Sequence, residues 1–293
     1  MCVLVGKPPR AGEPGGCMQC SSMVHLKCGQ AERYVSCGRC MPCRINKKRA
    51  WVGRMLLETQ YAPRPSTFLT LTYSEETIPD RGSLSPPDLM TFINKLRARK
   101  EIKENGNPRY FAVGEYGDKS WRPHYHLALF GVEPEHERLF TEVWGKGHTY
   151  TGEITRKSAN YVCGYTIKKM TDWQDPRLID LGLVPEFNRM SKFPPLGAAG
   201  YRVILENLMT RVGSLAIAEK RDVPNSFRHD GKTYPIDSYW RAWLREQIGI
   251  DDPPAYEPWV YDPEEWQKRI EHGKKIQEKL WKTRHRKTSP SSI

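Results

Sequence analysis

At 293 residues the chain is long enough for one large domain, or for a catalytic domain with appendages, and it can bury a real core. Its 46 Lys and Arg against 34 Asp and Glu leave a formal charge of +12, which points to a polyanionic partner, although a basic excess also serves plain solubility. No run of about 18 apolar residues is present to span a membrane, and the N-terminus lacks the charged-then-apolar layout of a signal peptide, so the expected location is the cytosol.

Of eight cysteines, only Cys163 lies beyond Cys43. Such crowding in a reducing compartment points to metal rather than to a disulfide framework. Cys17 and Cys20 form one CxxC, and Cys37, Cys40 and Cys43 form two that overlap. These spacings present paired thiolates to one tetrahedral ion. The expectation is a structural Zn²⁺ drawn from those residues, with Cys28 and His25 as spare ligands and free thiols as the alternative. Nothing nearby resembles a general base, which speaks against catalytic zinc. Residues 1–43 therefore read as a Cys-rich, zinc-binding knuckle.

From Arg44 the pattern turns helical, with Ile45, Trp51, Val52, Met55 and Leu56 interleaved with Arg44, Lys47, Lys48, Arg49 and Arg54. The apolar stripe belongs to a core. The basic face, with Arg44, Lys47 and Lys48, is either solvated surface or a contact for DNA phosphates. Phe68 to Tyr73 alternates apolar and hydroxyl residues and reads as a strand. Ser85-Pro86-Pro87-Asp88 reads as an N-cap with proline in the first turn, opening a helix through about Arg99. Tyr110 to Tyr116 and Tyr125 to Phe130 read as strands that the polar turn at Gly117, Asp118 and Lys119 can join as a hairpin. A strand from His148 to Ile154 and a helix from Ser158 to Met170 follow.

Strands mixed with helices on one side predict an α+β fold, an antiparallel β-sheet with packed helices, over residues 44–172. Residues 173–250 read as a helical or irregular extension. Residues 251–293 read as a linker and a basic tail carrying Lys274, Lys275, Lys279, Lys282, Arg284, Arg286 and Lys287.

The chemistry concentrates in Arg122-Pro123-His124-Tyr125-His126. Residues two apart on a strand share a face, so His124 and His126 project side by side, as two imidazoles that chelate one ion must. Glu115 lies on the preceding strand, within reach of the same cation if the strands pair. Two imidazoles and a carboxylate suit Mn²⁺ or Mg²⁺, with positions left for water and a phosphate oxygen. An ordinary strand with a chance HxH is the plain alternative. Further on, Tyr161 and Tyr165 are i and i+4 on a helix, with Lys168 one turn beyond Tyr165. A phenol with a pKa near 10 needs a neighbouring cation or metal to become a nucleophile at neutral pH. Two tyrosines on a core-facing stripe would be the plain reading of that helix.

Taken together, these segments resemble the rolling-circle replication initiators, HUH endonucleases, of microvirus and gokushovirus-like single-stranded DNA bacteriophages. Phe68 to Tyr73 resembles the family's first motif strand, Gly114 to Asp118 with Arg122 to His126 its metal motif, and Tyr161 to Lys169 its tyrosine helix. Cys37-Gly38-Arg39-Cys40-Met41-Pro42-Cys43-Arg44 also looks like these initiators.

The resemblance implies a single-strand endonuclease and strand transferase. A tyrosine is joined to the 5′ phosphate at an origin nick, and a second tyrosine closes the displaced circle. It also implies single-stranded origin DNA as partner and recruitment of a host helicase, inside the host cytoplasm. The group often carries lysine just before the second tyrosine. Gly164 stands there in this chain, which leaves Lys168 or Lys169 as the cationic helper. A single-tyrosine HUH transposase shares the His pair but not the second tyrosine or the long N-terminal segment. A histidine-triad hydrolase requires a third alternating histidine where Ala128 stands. A non-catalytic zinc-knuckle nucleic-acid-binding protein would explain charge and cysteines but leave the ordered Glu, His and Tyr motifs as coincidence.

Overall fold

The computed structural model describes residues 20, 24–28, 31–103, 107–117, 120–168, 176–251 and 271, with the backbone alone for 25–28, 31–35, 165–168 and 176–177. In chain order the elements are β1 (Val24–Cys28), β2 (Ala31–Val35), α1 (Met41–Gln60), β3 (Thr67–Thr72), α2 (Pro86–Ala98), α3 (Lys100–Lys103), β4 (Arg109–Tyr116), β5 (Pro123–Phe130) and α4 (Glu137–Trp144). There follow β6 (Thr149–Glu153), α5 (Arg156–Lys168), α6 (Pro176–Leu181), β7 (Phe187–Met190), α7 (Ala198–Leu208), α8 (Arg211–Lys220), β8 (Ser226–His229), β9 (Lys232–Pro235) and α9 (Ser238–Ile248). No helix among the described residues is long and apolar enough to cross a membrane.

Strands β6-β3-β5-β4-β7 form a five-stranded sheet in that order, and every neighbouring pair is antiparallel. The α+β architecture expected from the sequence is the one observed. The hairpin β4–β5 sits at its centre and places Glu115 opposite His124. The short β7 adds an edge strand beside β4, which its weak four-residue pattern does not announce.

Alternation along the strands separates two cores. Leu69, Leu71, Tyr110, Ala112, Tyr125, Leu127 and Leu129 point to one face, where Leu89, Phe92, Ile93 and Leu96 of α2 and Phe140, Val143 and Trp144 of α4 cover them. Each fully buried Leu, Ile or Phe there contributes about 1.5–3 kcal/mol relative to exposure. The opposite face carries Phe111, Val113, Ala128 and Phe130, covered by Val52, Met55 and Leu56 of α1 and Ala159, Val162 and Cys163 of α5. A third cluster, with Tyr201, Ile236, Trp240 and Leu244, packs on Leu57 of α1.

Local chemistry sets the helix starts. Ser85 Oγ accepts from Asp88 N at 3.3 Å, with prolines in the first turn of α2, as the sequence indicates. Helix α5 begins earlier than its periodicity predicts. The reason is a reciprocal cap in which Ser158 N donates to Thr155 Oγ1 at 3.2 Å while Thr155 N donates to Ser158 Oγ at 2.7 Å. Ahead of β6 the chain passes close beside the end of β3 at Gly147, φ +147°, where a Cβ would lie 2.4 Å from Thr72 O and 2.5 Å from Ser74 N. Only glycine allows that approach.

Candidate active site

Phe68, Thr70 and Thr72 of β3, Glu115 of β4 and His124 and His126 of β5 belong to the face on which α1 and α5 pack. The register sets Thr70 opposite His126 and Thr72 opposite His124. Beyond the apolar part of that face, Glu115 Oε1 lies 2.6 Å from His124 Nε2 and 3.0 Å from His126 Nε2. Both Nδ1 atoms are engaged from behind, His124 Nδ1 by the Arg122 carbonyl at 3.1 Å and His126 Nδ1 by Thr70 Oγ1 at 2.9 Å. Partners on Nδ1 orient each ring so that Nε2 faces inward, the arrangement found around metal-ligating histidines. Ligand atoms of Glu115, His124 and His126 all lie within 4.8 Å of one another, and this group could hold a metal ion.

Burial sharpens the electrostatics, since Glu115 and His126 are each only 5% exposed. Burial alone would push the Glu115 carboxyl up, but the hydrogen bonds and charges of His124 and His126 outweigh it and hold the group below the usual carboxylate range. For His124, burial pulls the pKa down, and the bond and charge of Glu115 reverse this into a net rise. For the more buried His126 burial prevails, and the pKa is lowered despite Glu115. A buried carboxylate flanked by one imidazole that favours charge and one that resists it is a donor set suited to a divalent cation.

Tyr161 stands at the mouth of this site. Its ring centroid is 5.1 Å from that of His126, edge-on at 79°, and 6.1 Å from that of Phe68. Val162 and Cys163 are fully buried, which pins α5 to the sheet and leaves Tyr161 49% exposed beside the histidine. The Tyr165 and Lys168 side chains, and Lys169 entirely, lie outside the described residues. Arg122 closes the β4–β5 turn on the end of β3, donating from Nη2 to Tyr73 O at 2.8 Å and pairing with Glu75. On α1, Arg44 and Lys47 are exposed and Lys48 is half-buried.

The cysteines converge as well. Sulfurs of Cys20, Cys37, Cys40 and Cys43 lie within 4.8 Å of one another, a tetrad that could hold a metal ion. Cys20 Sγ accepts from Cys37 N at 3.3 Å, and Cys37 Sγ accepts from Cys40 N at 3.3 Å and Arg39 N at 3.4 Å. Those backbone donors hold the Cys37 thiol below its ordinary value, whereas burial pushes the Cys43 thiol up. Cys17, and the side chains of Cys28 and His25, lie outside the described residues.

Residues 66–170, the stretch that holds the sheet site and the tyrosine helix, match the family model of the replication-associated protein ORF2. The chain resembles replication-associated proteins of single-stranded DNA phages. It is 33% identical over 194 residues to replication-associated protein ORF2 of Spiroplasma virus 4, covering 59% of this chain and 58% of that protein. It is 35% identical over 158 residues to replication-associated protein VP4 of Bdellovibrio phage phiMH2K, covering 47% and 50%. Replication-associated protein ORF4 of Chlamydia phage 1 is 25% identical over 234 residues, covering 73% and 54%. The chain spans about half the length of the curated relatives it matches. No solved structure matches it. The resemblance read from the ordered motifs is borne out at the level of these phage replication proteins. Thr70, which sequence reading did not single out, joins the site through its register alone.

Proposed function

We propose that the chain initiates rolling-circle replication by nicking single-stranded origin DNA through a tyrosine and rejoining the product. The observation that carries this reading is the Tyr161 ring 5.1 Å from His126, itself one of three side chains whose ligand atoms converge. Glu115, His124 and His126 would hold Mn²⁺ or Mg²⁺, an N/O donor set that suits either ion. When bound, such an ion supplies Lewis-acid polarisation of a phosphate oxygen.

Tyr161 Oη then forms a bond to phosphorus as the P–O3′ bond breaks. The phenolic proton passes to water, and the 3′ oxygen takes a proton from water to leave as a hydroxyl able to prime synthesis. The 5′ phosphate stays on the tyrosine. Tyr165, one turn along α5, takes the same role in the second cut, with Lys168 or Lys169 as cationic neighbours. The thiol tetrad, together with Cys17 as an alternative ligand, serves as a structural Zn²⁺ site at the entrance to α1. Arg44 and Lys47 contribute phosphate contacts, and the whole reaction belongs in the host cytoplasm.

The test is cleavage of a labelled single-stranded oligonucleotide carrying a replication origin of such a phage. Mn²⁺ should support nicking and covalent capture, EDTA should stop both, and His124→Ala with His126→Ala should abolish nicking while DNA is still bound. Full activity in EDTA, or undiminished nicking by the double variant, contradicts the proposal.

A further inference from the structure

The cations of α1 divide by what they touch. Arg44 and Lys47 are exposed. Arg49 donates to the Thr233 carbonyl of β9 at 2.8 Å, and Arg54 donates to Leu196 O at 3.1 Å and Asp237 Oδ2 at 3.2 Å. Lys48 goes to α5, where a Cβ built on Gly164 would lie 3.6 Å from its Nζ.

Packing explains how it gets there. Lys48 precedes Val52 by one helical turn, and Val52 and Met55 form the seam of α1 with Val162 and Cys163 of α5, the Cys163 Sγ lying 3.1 Å from Met55 Sδ. Gly164 is three residues past Tyr161, on the same side of α5, and directly before Tyr165. With no side chain at 164, the ammonium reaches the helix between the two tyrosine positions. Its charge is also felt at the Cys163 thiol, where burial raises the pKa and Lys48 opposes the rise. Cys43 of the thiol tetrad sits in the first turns of the same helix, so the tetrad fixes where Lys48 stands.

We propose that Lys48 is the phosphate-holding cation of the nicking site, its ammonium binding a phosphodiester oxygen of the single strand against α5 through the gap that Gly164 leaves. This deepens the nicking reading above and rests on it. A lysine suits the role because an ammonium is a compact point charge that accepts a phosphate from several directions. Arg44 and Lys47, turned to solvent, can gather DNA but do not reach α5. Lys48 therefore acts on the reacting phosphate rather than on overall affinity.

The experiment compares parent, Lys48→Gln, Lys48→Arg and Lys48→Gln with Gly164→Lys in Mn²⁺, reading the cleavage rate at saturating oligonucleotide, the dissociation constant and the melting temperature. If the parent forms no covalent adduct, the nicking reading falls and this inference falls with it. With an active parent, Lys48→Gln should lower the saturated rate about 100-fold, the scale of removing one preorganised charged donor. The dissociation constant and melting temperature should scarcely move. Lys48→Arg should keep most of the rate, and the lysine moved to 164 should recover it. An unchanged saturated rate in Lys48→Gln, a loss cured by more DNA, or equal losses in Gln and Arg variants that also melt early would each overturn the proposal. So would a relocated lysine that folds like the parent and restores nothing. Should the double variant fail to fold, the Gln and Arg pair decides alone.

Discussion

Alternate residues of β3, β4 and β5 meet two different environments. Towards α2 and α4 they are Leu69, Leu71, Tyr110, Ala112, Tyr125, Leu127 and Leu129, sealed into the largest core. Polar atoms on that side are neutral hydroxyls with partners, such as Tyr73 Oη donating to Asp88 Oδ2 at 2.9 Å. Towards α1 and α5 the same strands begin apolar, with Phe111, Val113, Ala128 and Phe130, and end in Thr70, Glu115, His124 and His126. One face holds the strands rigid, and the far end of the other carries ionisable groups that a loose scaffold could not keep convergent. Rigidity and chemistry are thus separated by a single step along each strand.

The comparison breaks most visibly on the sealed face. Leu127 is fully buried between the two histidine-bearing positions and α2, so Leu127→Ala should cost about 2–5 kcal/mol of folding stability. Chemical denaturation measures this, and a cost below that of an ordinary surface change would mean that this face does not carry the fold. On the other face the expected effect is smaller and different in kind. Thr70→Val keeps the shape of the side chain but removes the partner of His126 Nδ1, which should weaken Mn²⁺ binding about 10- to 100-fold with little change in melting temperature. Calorimetric titration with Mn²⁺ would contradict the assignment by returning the parent's affinity.

The smallest effect lies away from both faces and depends on pH. Asp222 accepts from Arg241 Nη2 at 2.8 Å and Arg245 Nη2 at 2.6 Å. Burial raises its carboxyl pKa, and the two guanidiniums more than reverse this, so the folded value is depressed. A depressed carboxylate contributes stability that is present above the unfolded value of about 3.9 and is lost as pH falls through the folded one. Asp222→Asn should therefore lower the melting temperature at pH 7 and converge on the parent as the solution is acidified below that range. A gap that persists unchanged in acid would point to packing instead of charge.

Much of this was readable in the sequence because it is local. The HxH spacing, the cap at Ser85, the polar turn that closes the β4–β5 hairpin and the run around Tyr161 all depend on residues near one another in the chain. What sequence hid is non-local. Thr70 meets His126 through the β3–β5 register across 56 positions. Lys48 meets Gly164 through helix packing, although both lie in segments the sequence marks as functional. Arg122 carries a charge that suits DNA, and nothing in its neighbourhood announces its pairing with Glu75. Strand β7 is too short to show a period, and α8 has no buried residue to produce one.

The central claim is that Tyr161, beside the Glu115, His124 and His126 group, is a nucleophile towards DNA. Its most direct test is peptide mass mapping of protein captured on a single-stranded origin oligonucleotide in Mn²⁺. The account predicts a nucleotide adduct on the peptide containing Tyr161 and Tyr165, reduced in Tyr161→Phe and absent when both are phenylalanine, since the ring packing stays and only the attacking oxygen is lost. An adduct on any other peptide, or one that survives in the double variant, would contradict it.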